Sequence, residues 1–278
     1  MFAQTRLVWL LAVLISRLIV ADGQALPAST GLSVPATDDA SFFHAITNPS
    51  VTEIVLESDI ILATSPPGVS WDLLTSPFLM SRNVTVRAQN GSYPRLLDFN
   101  SQYSKLVLGD HVWLSFYQLV VKRFRGDPML VGLDILAVSS NTSIVFAQHS
   151  YLYFYACYPL DLFAQAFTTS PRSRVATQVN QSAVVLPGGL CLLRPLDFRP
   201  EAHPSNSTCI PSAVSVLDFA VPTISLTGPS GGVASPQGYT TWLYEDYAIC
   251  EGEVLRAACV CVCACACVRV RACVCGCV

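Results

Sequence analysis

Hydrophobic positions change their period along this chain, and the changes divide it. Thr37, Asp38 and Asp39 offer capping oxygens to a helix through Ala40–Ile46, where Phe42, Ala45 and Ile46 share one face. His44 falls off that face, and Asn48-Pro49 stops the helix. Short β-like runs follow: Glu53–Leu56, Asp59–Leu62, Asn83–Arg87, Lys105–Leu108, Val112–Phe116, Leu119–Val121, Ile135–Val138 and Ile144–Phe146. Each is rich in β-branched or aromatic residues and is punctuated by Gly, Asp, Asn or Pro.

The intervals between these runs predict how they stack. Val84 to Leu106 is 22 residues and Val112 to Ile135 is 23, while Ile54 to Val84 is 30 with 65–81 as an insertion. Steps in the low twenties match one coil of a parallel β-helix, whose apolar side chains stack from coil to coil. The helix in front would then cover the first coil. A β-sandwich also yields many short strands and stays open as the alternative. From Ala164 to Gln237 no steady period is visible, and pieces such as Val184–Leu186 and Val214–Val216 stand among Pro, Ser, Thr and Gly. The expected organisation is a signal at 1–25, a β core at 26–160, an irregular continuation at 161–255 and a tail at 256–278.

The two ends need chemistry of another kind. A basic start, an apolar run from Leu7 to Ser16 and small residues at Ala21, Gly23 and Ala25 have the layout of a cleaved secretory signal. No other stretch is long and apolar enough to span a bilayer. Asn-x-Ser/Thr acceptors at Asn83, Asn90, Asn141, Asn180 and Asn206 agree with secretion. Eight of the twelve cysteines lie between Cys259 and Cys277, spaced by Val and Ala. Such Cys-x-Cys spacing suits soft metals. A TG dinucleotide tract, read as TGT and GTG with few base changes, also encodes every residue from Cys259 to Val278. The tail is therefore read as translated repeat DNA, and no metal site is expected.

The chain is 278 residues long, 52% apolar and 13% charged, with mean hydropathy +0.47 and a net charge of −3. That composition excludes a disordered chain. Residues 26–255 hold 11 basic and 18 acidic side chains, a net of −7. An acidic body excludes nucleic acid as a partner and disfavours anionic polymers without bridging calcium. Four cysteines remain there: Cys157, Cys191, Cys209 and Cys250, an even number that predicts two disulfides with three possible pairings.

The order DDASFFHAITNPS, VTEIVLESDIIL, RNVTVRA and KLVLGDHVWLSFYQLVVKRF resembles the pectin-lyase-like right-handed parallel β-helix. It is most similar to the ectodomain type frequent in green-algal secreted and receptor-like proteins. The resemblance covers residues 37–155, and Gly238–Cys250 looks like the last strand of such ectodomains. It implies a mainly β fold with an N-terminal capping helix. In that family the module often precedes a membrane span and a cytoplasmic kinase or cyclase.

Catalytic chemistry is sparse. Asp98, Asp110, Asp127 and Asp134 are the acidic candidates, with Lys122, Arg123 and Arg125 as possible bases or anion contacts. Asp110 and Asp127 each follow a glycine and read as turn residues, and Asp38-Asp39 reads as a helix cap. The paired aspartates and Gly-His-Gly run of galacturonan hydrolases do not occur. His44, His111, His149 and His203 lack zinc-ligand spacing, and no Gly-x-Ser-x-Gly elbow or phosphate-binding loop is present. Alternation puts Tyr151, Tyr153 and Tyr155 on one strand face, where rings can stack on sugars. The expectation is a secreted, non-catalytic recognition or matrix module for cell-wall polysaccharide or glycoprotein, without cofactor. A polysaccharide lyase or hydrolase, or the ectodomain of a membrane receptor, are the alternatives.

Overall fold

The computed structural model describes residues 31–62, 71, 74–89, 93–125, 132–155, 157–176, 181–187, 190–191, 209–210, 213–226 and 234–250. Its first half runs β1 (Leu32–Ala36), α1 (Asp39–Thr47), β2 (Val51–Leu56), β3 (Ile60–Ile61), β4 (Phe78–Met80), β5 (Val84–Ala88), β6 (Arg95–Asp98) and β7 (Leu106–Leu108). Then come β8 (Trp113–Tyr117), β9 (Leu119–Lys122), β10 (Ile144–Gln148), β11 (Tyr151–Phe154) and α2 (Leu160–Thr169). β12 (Ser182–Val185), β13 (Leu190–Cys191), β14 (Cys209–Ile210), β15 (Ala213–Leu226) and β16 (Ala234–Cys250) complete it. The protein is mainly β, with mostly parallel strands in one curled sheet, as the sequence leads one to expect.

The curl arises because successive segments join different ladders. One ladder runs β1-β2-β5-β8-β10-β16, and another runs β3-β6-β9-β11-β16, all in parallel pairs. β4 and β7 form a third parallel pair, which Leu136 extends by a bridge to Leu106. The bent strand β16 closes the first two ladders into a single sheet. Side chains alternate across each strand, so every ladder presents one row inward. Ile54, Val86, Phe116, Ala147 and Leu243 make one buried row by register, and Ile60, Leu97, Val121, Leu152 and Ala248 another. Burying a side chain of the larger kind contributes about 1.5–3 kcal/mol.

The register corrects the period read from the sequence. Ile54 pairs with Val86, Val86 with Phe116 and Phe116 with Ala147, steps of 32, 30 and 31 residues. Val84 and Leu106 belong to different ladders, so their separation of 22 is not a coil. Nor is 65–81 wholly an insertion, since β4 begins at Phe78.

α1 forms as its sequence predicts. Asp38 accepts from the Ser41 N–H at 2.8 Å, and Ser41 Oγ accepts from the Asp38 N–H at 3.0 Å. This reciprocal cap satisfies donors that have no partner within the helix. Phe42, Ala45 and Ile46 are buried and His44 is exposed. Trp71 sets its ring edge-on to Phe43 at 5.0 Å and donates from Nε1 to Asp39 Oδ1 at 2.8 Å. Replacing Asp38 by Ala should destabilise the protein by about 1 kcal/mol. An unchanged midpoint in urea would remove the cap from the fold's supports.

Among the described residues the second half holds one helix and two long strands. α2 buries Phe163, Ala164 and Phe167, with Phe163 5.2 Å from Phe154 and Phe167 4.7 Å from Phe219. β15 and β16, of 14 and 17 residues, pair antiparallel from Ala213↔Ile249 to Leu226↔Ala234. Pro222, Pro236, Gly238 and the charged Asp218 and Glu245-Asp246 interrupt their alternation, which hid both strands. Among the described residues no helix is long and apolar enough to cross a membrane.

Candidate functional site

Parallel register brings residues 24 and 31 positions apart into one row. Asp98 in β6 stands beside Lys122 in β9, and Lys122 stands beside Tyr153 in β11. Adjacent strands lie about 4.8 Å apart, so these side chains meet. The Lys122 ammonium sits 5.0 Å from the Tyr153 ring centre and 5.6 Å from that of Tyr155. Arg123 follows with φ +44°, and its Nε donates to Asp98 Oδ1 at 2.7 Å. That bond raises the Arg123 pKa, because the carboxylate favours the charged guanidinium. Asp98 Oδ1 also accepts from the Asn100 N–H at 2.9 Å.

The tyrosine candidates divide. Tyr151 is half-buried and stacks on Tyr247 at 5.3 Å and 13°. Tyr153 is buried, in a cluster with Ile249 that Leu190 and Tyr151 pack against. Tyr155 lies beyond the end of β11, edge-on to Tyr153 at 6.2 Å and 47% exposed, so its ring is the one open to a ligand. The expected shared face of three rings is thus corrected to one exposed ring, with Lys122, Arg123 and Asp98 near it among the described residues.

The other candidates lie elsewhere. Asp110 accepts from Ser140 Oγ at 2.5 Å, and Asp134 precedes the Leu136 bridge, so both flank the third ladder and not the Asp98 row. His111 is exposed at φ +58°, its N–H donating to Thr142 Oγ1. Arg125 lies over the Phe154 ring at 4.2 Å. Asn83 is exposed, and its Oδ1 accepts from the Trp113 N–H at 2.9 Å, while Asn141 is exposed. Asn90, Asn180, Asn206, Asp127 and His203 lie outside the described residues. Cys157 bonds to Cys250, and register sets Cys191 opposite Cys209. Among the described residues no group of three His, Cys, Asp or Glu is placed to hold a metal.

Sequence reading missed a second aromatic cluster on the outer face of the first ladder. Phe146 lies 5.5 Å from Trp242, 5.9 Å from Tyr117 and 6.1 Å from Trp113. Its signal was aromatic alternation in Trp113-Leu114-Ser115-Phe116-Tyr117 and in Trp242-Leu243-Tyr244. Phe146 and Trp242 are buried here with Ala176 and Ala220, and Trp242 Nε1 donates to Asp218 Oδ1 at 2.9 Å. Arg172 pairs with that aspartate at 2.9 Å. Packing is therefore this cluster's role.

Between the two clusters the chain bends three times at one level, at Gln118, His149 and Glu245, each with positive φ. His149 Nε2 and Glu245 Oε2 lie 3.4 Å apart there. Beneath them Asp246 is fully buried and accepts from the Ser150 N–H at 2.7 Å and the Tyr244 N–H at 3.2 Å. Burial raises its pKa well above the ordinary aspartate value against the pull of those two donors, and the neighbouring Glu245 adds to the rise. Its folded form binds the proton more tightly than its unfolded form. Its contribution to stability is therefore largest below about pH 3.9 and falls as pH rises through the folded pKa. Denaturation across pH 3–8 should show this downward component in the wild type and lose it in Asp246→Asn. Parallel curves for the two proteins would refute it.

No family model matches the chain, and no curated protein or solved structure is similar to it.

Proposed function

We propose that the chain is a secreted right-handed parallel β-helix that serves as a non-catalytic recognition module for carbohydrate. Three parallel ladders, entered in the same order with steps of 30 to 32 residues from β2 to β10 along the first, support the β-helix. The signal-like N-terminus and the Cys157–Cys250 pair support an extracellular setting. The observation that carries the recognition reading is the exposed Tyr155 ring beside Lys122 and the Arg123–Asp98 pair. A sugar's C–H face stacks on the ring while the partly exposed Arg123 guanidinium bonds its hydroxyls.

Titration of the secreted protein with cell-wall oligosaccharides tests this. Tyr155→Ala should weaken binding about tenfold or more, the worth of a stacked ring. Equal binding by the variant overturns the site. A second reading, a lyase, draws on Lys122 as base, with Arg123 paired to Asp98 as an anion contact. Ultraviolet absorbance from an unsaturated product would favour it over the first, and its absence with bound ligand would favour recognition.

A further inference from the structure

The outward face of the first ladder sets one glycosylation acceptor beside an aromatic ring. Asn83 and Thr85 belong to the acceptor Asn-Val-Thr, and Asn83 is exposed one residue before β5. Val84 pairs with Leu114, so Asn83 falls beside Trp113 on the neighbouring strand, about 4.8 Å away. The contact is direct: Asn83 Oδ1 accepts from the Trp113 N–H at 2.9 Å. This bond holds the carboxamide in one orientation. Its oxygen is engaged by the ladder, and Nδ2 has no hydrogen bond among the described residues. Trp113 is half-buried, and its ring neighbours are Phe146 in β10 and Trp242 in β16, each at 6.1 Å. Both strands lie on the side away from β5, so among the described residues the side of the indole toward Asn83 meets no other ring.

We propose that an N-linked glycan on Asn83 is a structural part of this face, with its first N-acetylglucosamine seated on the Trp113 indole. The donor is a lipid-linked pyrophosphate oligosaccharide. Nδ2 forms a bond to the anomeric carbon of its first sugar, and the bond from that carbon to the pyrophosphate oxygen breaks. The amide nitrogen gives up one proton as the lipid pyrophosphate leaves. The carboxamide oxygen takes no part in the new bond, so its contact with the Trp113 N–H survives. That contact fixes the direction in which the sugar leaves the chain and reduces the entropy lost when the sugar meets the ring. The C–H face of the pyranose then covers indole surface that Phe146 and Trp242 leave open, against the negative face of the ring system. Asn141, the other exposed acceptor among the described residues, stands on a turn before β10 and not in a strand row. Only the extracellular setting proposed above is needed for this seat; carbohydrate recognition at Tyr155 is not.

The full chain should be expressed with its own N-terminus in a eukaryotic host that glycosylates secreted proteins. Peptide mapping after enzymatic deglycosylation in heavy-oxygen water should find the label at position 83. In the intact glycoprotein, nuclear Overhauser contacts should join the first N-acetylglucosamine to the Trp113 indole. Thr85→Val removes the acceptor and keeps Asn83 with its bond to β8. It should abolish those contacts and lower the melting temperature by about 2–4 °C, the worth of one stacked pair in a chain of this size. Thr85→Ser keeps the acceptor and should retain both the contacts and the melting temperature. In a Trp113→Leu background Thr85→Val should cause no further fall. Asn141→Gln should leave the indole contacts intact; their loss would assign them to another glycan and overturn the seat on Trp113. Secreted protein that is unmodified at Asn83, or modified without indole contacts, overturns the proposal alone. Retention of the chain inside the cell refutes the extracellular setting and this site with it.

Discussion

Replacing Gly238 by alanine is expected to lower stability by about 3 kcal/mol or more, among the largest effects of any single substitution in this fold. Two separate costs meet there. Gly238 has φ +88°, a region that L residues enter at a penalty of about 1–2 kcal/mol. A Cβ on it would also stand 1.9 Å from the Ser139 carbonyl oxygen. That atom is backbone, fixed because the Ser139 N–H donates to the Gln237 carbonyl at 2.8 Å, so it has little room to yield. The strand affected is β16, which joins both long ladders, and its next residue, Tyr239, accepts from the buried Leu133 N–H at 2.8 Å. At about 2–4 °C per kcal/mol for a chain of this size, the melting temperature should fall by about 6–12 °C. Gly109→Ala serves as the comparison, since its φ is not positive and the nearest atom, the Met80 carbonyl oxygen, is 3.1 Å away. Equal urea midpoints for Gly238→Ala and the wild type would show that β16 does not pass Ser139 this closely.

Gly238 also marks the border between what the sequence discloses and what it hides. Local signals were legible where one residue decides one conformation. Asp38 and Ser41 cap α1, and β2, β5, β8, β9 and β10 fall on the apolar runs that predict them. The stacking step was not legible, because β7 carries the same Leu-Val-Leu pattern as a ladder strand but belongs to the third pair. Apolar alternation marks an inward row without saying on which ladder it lies. β15 and β16 escaped for the opposite reason: proline, glycine and buried aspartates break their pattern where bends and cross-strand bonds need them. At the candidate site Tyr153 and Tyr155 were visible as alternating rings. The meeting of Asp98, Lys122 and Tyr153 depends on register across three strands, and no local pattern encodes register between distant segments.

The same dependence on topology makes the cysteines the other large test. Cys157 lies three residues beyond β11 and Cys250 ends β16, where Phe154 pairs with Cys250 in parallel register. Their Cα atoms are 6.1 Å apart, within the span a disulfide bridges, and 93 residues separate them. Closing a loop of that length removes enough unfolded-state entropy to stabilise the fold by about 4–5 kcal/mol on the chain-entropy account. The double variant Cys157→Ala/Cys250→Ala should lose stability of that order under oxidising conditions. Reductant should bring the wild type down towards the variant, which isolates the bridge from the packing of two buried side chains. With that pair fixed, the three pairings open to the sequence reduce to one, Cys191 with Cys209, the arrangement their antiparallel register also favours. A non-reducing peptide map should therefore join the Cys157 peptide to that of Cys250 and the Cys191 peptide to that of Cys209. A crossed pattern would be incompatible with β11 and β16 lying side by side. An equal loss of stability in the variant with and without reductant would assign the effect to core packing instead.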